Sequence, residues 1–313
     1  MLRLIVTRIL LMLLAVFTVL TALFFGIRLG AGDPTVAIQG SYATAESLAK
    51  LSQALGLDKP LWQQYLIYLA GLLRGDLGVS IQNGRPVLQQ ILQVVPYTLD
   101  LTFWGVLIGV VIGVPLGFLS AIRRNSLLDH AIRVVTLSGI SVPPFIMGYV
   151  LIIVFVIGLG LFPVAGGGDR DDLVSRFSYL TLPALSLGLI MTSYVTRVTR
   201  TAVLEVLTKD FIRTGRAKGL SEGAILYRHV LRLTLVTLVT LVGLYATITV
   251  GSSVVIEVVF SRPGVGQLIV GAISQSDYTV VQGAVIFYAA FVSLVNLAVD
   301  LAYAVIDPRI SYE

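Results

Sequence analysis

Cysteine is absent from the 313-residue chain. No disulfide, thiolate metal site or thiol chemistry is therefore open to it, and its redox compartment is left unconstrained. Histidine is nearly absent: His130 and His229 are the only two, they fall in polar segments away from each other, and each reads as a surface residue before it reads as a ligand. Charge is scarce as well, at 12% of residues against 56% hydrophobic ones, with a mean hydropathy of +0.92. A soluble domain with a polar surface does not tolerate that balance, so lipid must be much of the solvent. The chain contains no G-x-x-x-x-G-K-S/T phosphate cradle and so no recognisable ATP site of its own. No pair of carboxylates sits in a setting from which acid–base catalysis can be argued, and the chain does not read as an enzyme.

What is present is a series of uncharged runs. A membrane-spanning helix needs about 20 mostly apolar residues, and six stretches qualify: Ile9 to Ile27, Leu101 to Ile122, Val134 to Gly168, Phe177 to Thr196, Leu233 to Ile256 and Tyr278 to Val299. The expected fold is an all-α polytopic membrane protein with about six transmembrane helices. The third stretch is too long for one simple span, and its end is punctuated by Gly158, Gly160, Pro163 and the glycines from Gly166. It is expected to include a loop or re-entrant portion, with its helix stopping near Leu161. The first stretch is too long for a signal core and lacks a small-x-small cleavage site, so it is kept as a span.

With six spans both termini share one side. The termini with segments 123–133 and 197–232 carry fourteen of the 22 lysines and arginines, and five of the remaining eight lie in the single long loop from Arg28 to Asp100. By the positive-inside rule both termini are cytoplasmic, and the net charge of +5 reflects topology rather than nucleic-acid binding. The expected division is residues 1–29 for the N-terminal end and first span, 30–97 for an external loop, 98–306 for a membrane core including a cytoplasmic loop at 197–232, and 307–313 for a cytoplasmic tail. In the external loop, Leu48, Leu51 and Leu55 share one helical face, and Leu61, Tyr65, Tyr68, Leu69 and Leu72 share another. Two short amphipathic helices are expected there, either packed on the membrane surface and the mouth of the bundle or docking an external partner.

The segment Arg197 to Arg232 is too polar for lipid and too regular for a passive loop. One helix is expected to run through Val203, Leu204 and Leu207 to Lys218 and to end at Gly219, which suits a left-handed closing position. Ser221 is placed to cap a second helix, with Glu222 opposing the dipole in its first turn. Leu220, Ala224, Tyr227 and Leu231 then share a face, with Arg228, Arg232 and Ser221 on its flank. Such a helix either enters a partner's groove or lies on lipid headgroups.

Polar residues in the spans are the other candidates, because a charge near the bilayer centre is costly and rarely accidental. Ser138, Gly139, Ser141, Pro143 and Pro144 break the third span and free carbonyls that only protein or a water-filled cavity can satisfy. Glu257, beside Ser252 and Ser253, is either a helix-end anchor or a contact with a solute path or gate. Thr247, Thr249 and Gly251 are either small-residue packing or path lining. Asp300 reads as an interhelical or interfacial partner. The candidates for a translocation path or gate are Ser141, Pro143, Pro144, Thr247 and Glu257.

The stretch Asp210-Phe211-Ile212-Arg213-Thr214-Gly215-Arg216-Ala217-Lys218-Gly219-Leu220-Ser221-Glu222 resembles the coupling loop of permeases in the dipeptide, oligopeptide and nickel class of binding-protein-dependent ABC importers. Further blocks are similar to the same family. They include Gly32-Asp33-Pro34, Leu55-Gly56-Leu57-Asp58-Lys59-Pro60, Gly75-Asp76-Leu77-Gly78, Glu257-Val258-Val259-Phe260, Pro263-Gly264-Val265-Gly266-Gln267, Asp277-Tyr278, Gln282-Gly283, Asn296 to Leu301 and Asp307-Pro308-Arg309. Departures are Gly215, where the family commonly has alanine, then Leu233, Thr237, Ser276 and Thr279.

The resemblance implies a permease subunit forming half of the path for peptides, with a paralogous second permease, two cytoplasmic ATPase subunits, and a periplasmic or lipid-anchored solute-binding protein. It implies no cofactor on this chain, with ATP and Mg on the ATPase subunits, and a bacterial or archaeal cytoplasmic membrane as the location. It assigns ATPase coupling to Arg213, Arg216, Lys218, Gly219, Leu220, Ser221, Glu222, Ala224 and Tyr227. Chelated nickel or another small solute is the alternative cargo; bare nickel would want imidazole or sulfur along its route. A gradient-driven transporter is the competing class, but it would favour midplane charges or inverted repeats, and neither is visible.

Overall fold

Within a hydrocarbon layer every backbone N–H and C=O must find its partner inside the protein, which for a single segment means a helix. The computed structural model describes residues 2–30, 53 and 58–306, and among them the only strand-like pairing is one isolated bridge between Val79 and Pro86. The helices are α1 (Leu2–Gly30), α2 (Leu61–Leu73), α3 (Val87–Ile122), α4 (Leu127–Ser141), α5 (Pro144–Leu151), α6 (Leu173–Leu207), α7 (Asp210–Ala217), α8 (Glu222–Ile225), α9 (Leu231–Val259), α10 (Val265–Ser274) and α11 (Tyr278–Ile306). π-Helical turns at Ile152–Gly158 and Leu226–Val230 extend α5 and join α8 to α9. Among the described residues five helices are long and apolar enough to cross a membrane. A sixth crossing results if α4 and the α5 segment, bent by 105° where Val142 and Pro143 interrupt them, form one broken span. The sequence predicts that break; its helix ends at Gly158 rather than near Leu161.

The chain forms two compact units, one built on residues 97–263 and the other on residues 6–96 and 264–294. In the first, Gly105, Gly109, Gly113 and Gly117 lie four residues apart along α3, opposite Leu187, Met191, Val195 and Thr199 at the same spacing on α6. A Cβ on Gly109 would lie 2.4 Å from the Cγ of Met191, and one on Gly117 would lie 2.4 Å from the Cβ of Thr199 and 2.7 Å from the carbonyl oxygen of Thr196. Side chains on α6 thus rest on the bare backbone of α3, and the Thr196 hydroxyl donates to the carbonyl of Gly113 at 3.2 Å. In lipid there is no hydrophobic drive between helices, so close approach over small residues supplies the attraction.

Two ion pairs fix the ends of this unit. Arg176 gives two hydrogen bonds to Asp100, at 3.0 and 2.5 Å. The uncharged run in the sequence begins after Asp100, yet α3 begins at Val87, because the carboxylate is neutralised and Val87 to Tyr97 carries no charge. Asp129 is fully buried and accepts from both donors of Arg200 at 2.9 Å, from Ser120 at 2.5 Å and from the amide of Asn125 at 2.9 Å. Leu101, Leu151, Leu180, Leu182, Leu187, Ile256 and Phe260 fill the apolar core.

In the second unit Val87, Ile91, Ala272, Val280, Val281 and Ala284 pack together. Asp277, ahead of α11, accepts from the Ser80 hydroxyl at 2.5 Å and from the amide of Val280 at 3.3 Å, tying the turn at 79–86 to the helix start. Of the predicted stripe of α2, Tyr65, Tyr68, Leu69 and Leu72 are half-buried and Leu61 is exposed; Tyr68 stacks on Phe24 of α1, and Tyr65 meets that ring edge-on and bonds Thr21 at 2.7 Å. Trp62, Leu66 and Leu73 on the other side stay exposed. Leu48, Leu51 and Leu55, the face of the other expected external helix, lie outside the described residues, as do Gly32-Asp33-Pro34 and the tail at 307–313.

Candidate functional site: a capped turn and a broken span

The segment between α6 and α9 is shaped by its end signals. Instead of one helix to Lys218, α6 stops at Leu207 and α7 restarts at Asp210, with Thr208 and Lys209 between them. The break turns Ile212 inward, where it is fully buried with Val203, Ile225 and Val230. Gly219 takes φ +80°, the left-handed value that glycine alone adopts without strain. Its amide bonds the carbonyl of Arg216 at 2.9 Å, and that of Leu220 bonds the carbonyl of Gly215 at 3.2 Å, closing the helix. Ser221 caps the next helix, its hydroxyl accepting from the amide of Ala224 at 3.3 Å.

Arg216 clasps Glu222 across this turn with bonds of 2.7 and 3.1 Å. The hydrogen bond from Arg216 holds the Glu222 carboxyl below its usual range, and the same bond holds the guanidinium above its own. Of the expected apolar ridge, Leu220 and Tyr227 are 40% and 76% exposed and Ala224 and Leu231 are half-buried, whereas Ile225 and Val230 point inward. Leu226–Val230 is π-helical, with a wider turn than the 3.6-residue period assumes, so inward positions recur five residues apart. The second helix is also not a separate rod, since α8 runs through the π turn into α9. Of the remaining candidates, Arg213 is exposed beside Asp210 at 3.6 Å, Lys218 is exposed at the end of α7, and Ala224 is half-buried. Ile212, Ile225 and Val230 anchor the segment and are not among the sequence candidates; the break at Thr208–Lys209 and the π turn hide their phase.

The path candidates separate. Pro144 starts α5 at the bend and shares a mostly apolar pocket with Met191, Tyr194, Tyr245, Thr249 and Ser252. Tyr194 and Tyr245 are stacked there, 4.5 Å between ring centres. Pro143 is the residue before that helix, and the Ser141 hydroxyl donates to the carbonyl of Leu137 at 2.9 Å. Thr247 is not in the pocket; it bonds Asn296 at 2.6 Å. Glu257 is fully buried at the end of α9, where the Thr98 hydroxyl donates to it at 2.6 Å.

Comparison with known proteins places this geometry. Residues 113–312 match the family described as binding-protein-dependent transport system inner membrane component, and residues 1–102 match its N-terminal companion. The chain is 38% identical to a probable peptide ABC transporter permease of Sinorhizobium fredii, over 93% of each chain. It is 35% identical to the dipeptide transport system permease of Escherichia coli K12, over 90% of this chain and 91% of the relative. It is also 35% identical to the glutathione transport system permease of Escherichia coli, over the whole of both. Among solved structures it is similar to a chain of the MetNI methionine ABC transporter in an inward-facing conformation, with TM-score 0.58 and 22% identity, covering 70% of this chain and 97% of that one.

Proposed function

Because this chain belongs to the family of binding-protein-dependent transport system inner membrane components, we propose that it forms half of a membrane path for peptides delivered from outside. It is a multi-pass permease subunit of an ABC importer and not an enzyme, and the ATPase is on separate subunits. The peptide cargo is supported by relatives described as peptide, dipeptide and glutathione permeases. In our reading a second, paralogous permease completes the path, two ATPase subunits hold ATP and Mg on the cytoplasmic side, and a periplasmic or lipid-anchored protein delivers cargo. Both termini face the cytoplasm, consistent with the placement of fourteen of the 22 basic residues.

The observation that carries the coupling role is an exposed apolar pair, Leu220 and Tyr227, on a turn pinned by Gly219, Ser221 and the Arg216–Glu222 clasp. Exposed apolar groups on a rigid polar segment outside the spans fit a partner's groove. ATP-driven closure of the ATPases moves this segment as a rigid body and, through the continuous α8–α9 run, tilts the span attached to it. The test reconstitutes the gently solubilised complex, with its subunits identified by mass spectrometry, and measures ATP-dependent peptide uptake. Leu220→Asp and Gly219→Pro should insert normally but uncouple ATP hydrolysis from uptake. Normal uptake in both would sink the coupling role, and recovery of the chain without any ATPase would sink the importer.

A further inference from the structure

Arg262 is a fully buried guanidinium just beyond α9. Ser261 before it sits at φ +44°, a left-handed value that strains a residue with a Cβ. The guanidinium lies 5.4 Å from the centre of the Tyr97 ring, and its Nη1 donates to the carbonyl of Tyr179 at 3.4 Å, near the limit of a hydrogen bond. Nε and Nη2 have no acceptor. A buried charge with unfilled donors is costly in this state and calls for a partner in another.

The unfilled edge is the one that takes a carboxylate elsewhere in the chain. Arg176 gives Nε and Nη2 to Asp100, Arg200 gives the same two to Asp129, and Arg216 gives them to Glu222. That planar edge matches two carboxylate oxygens. Both carboxylates within electrostatic reach of Arg262, Asp100 and Glu257, are engaged by Arg176 and Thr98. Gly167 packs against two neighbours of the guanidinium: a Cβ there would meet the Tyr97 ring at 2.6 Å and Pro263 at 2.7 Å.

We propose that the Nε/Nη2 edge of Arg262 is a carboxylate-binding site, filled during the transport cycle by the free carboxylate of a cargo peptide or by Glu257 after it leaves Thr98. The proposal rests on the reading of the chain as a peptide permease. The complete importer in liposomes is compared as wild type, Arg262→Gln, Glu257→Gln and the double variant, on a dipeptide and its C-terminal amide. The binding protein's affinity for each is measured separately. Arg262→Gln should slow uptake of the free acid by about tenfold or more without lowering the melting temperature, since this state loses almost no bond.

If the cargo supplies the carboxylate, the preference for acid over amide collapses in Arg262→Gln and survives in Glu257→Gln. If Glu257 supplies it, both peptides slow equally in each single variant and the double variant is no worse. Unchanged uptake in Arg262→Gln, or slow uptake with a matching loss of melting temperature, would overturn the proposal. A wild-type complex that moves neither peptide would instead count against the peptide reading, and ATPase turnover of Arg262→Gln against wild type would then decide the Glu257 arm.

Discussion

Alanine at Gly117 tests the glycine ridge that joins α3 to α6. The added Cβ would stand 2.4 Å from the Cβ of Thr199 and 2.7 Å from the carbonyl oxygen of Thr196. Carbon atoms settle at about 3.5–4.0 Å, so the helices must part by roughly 1 Å. The obstacle includes backbone, which no rotamer change can clear. A gap of that size forfeits about a quarter to a half of the dispersion attraction along the seam, and overpacking of this kind costs about 1–3 kcal/mol. Replacing glycine in a helix returns up to about 1 kcal/mol. The expected net loss is therefore about 0–3 kcal/mol, while Gly26→Ala, which meets nothing within 4 Å, should gain stability. The contrast between the two is the measured quantity. Gly109→Ala, Gly113→Ala and Gly117→Ala are heated in mild detergent beside Gly26→Ala, and the monodisperse fraction is followed by size-exclusion chromatography. If Gly117→Ala matches or exceeds Gly26→Ala in stability, the two backbones are not in contact and the account of this core is wrong.

Gly215→Ala should act in the opposite sense, stabilising α7 by up to about 1 kcal/mol. Its Cβ meets only Leu220 at 3.5 Å and Ile225 at 4.0 Å, which is ordinary contact, and slower proteolysis of the 208–226 segment would report it. Asp129→Asn should cost about 3–5 kcal/mol, because it strands the Arg200 guanidinium against a buried site; an unchanged melting temperature would refute that. The depressed Glu222 carboxyl keeps its clasp with Arg216 above the ordinary carboxylate range and releases it only as pH falls through the lowered value. Cargo-stimulated ATPase activity should therefore lose an acid-side component in Glu222→Gln, and identical acid limbs would deny the clasp a part in coupling.

Much of the coupling turn was legible because its signals are local. Gly219 and Ser221 each act on backbone groups within a few residues, and both sit in the structure as their types demand. The phase of the helix after them was not legible. One extra residue per turn in Leu226–Val230 moves the buried positions to Ile225 and Val230, and no residue in the segment announces a π turn. The break in the third span was readable from Ser138, Gly139, Ser141, Pro143 and Pro144, since proline donates no amide; its angle of 105° was not.

The sequence by itself determined that this is a helical membrane protein with its third span broken, and where its basic loops lie, because lipid requires backbone bonds to be local and charges to be outside it. Tertiary structure alone decided which polar groups meet. Asp129 found Arg200 and Glu257 found Thr98 across long stretches of chain. The i, i+4 glycines of α3 became a seam only when α6 laid its side chains on them. Arg262 stood as one basic residue among 22 until burial left its carboxylate edge empty. Whether a buried charge has a partner depends on distances between segments, which are set by packing and not by the order of residues.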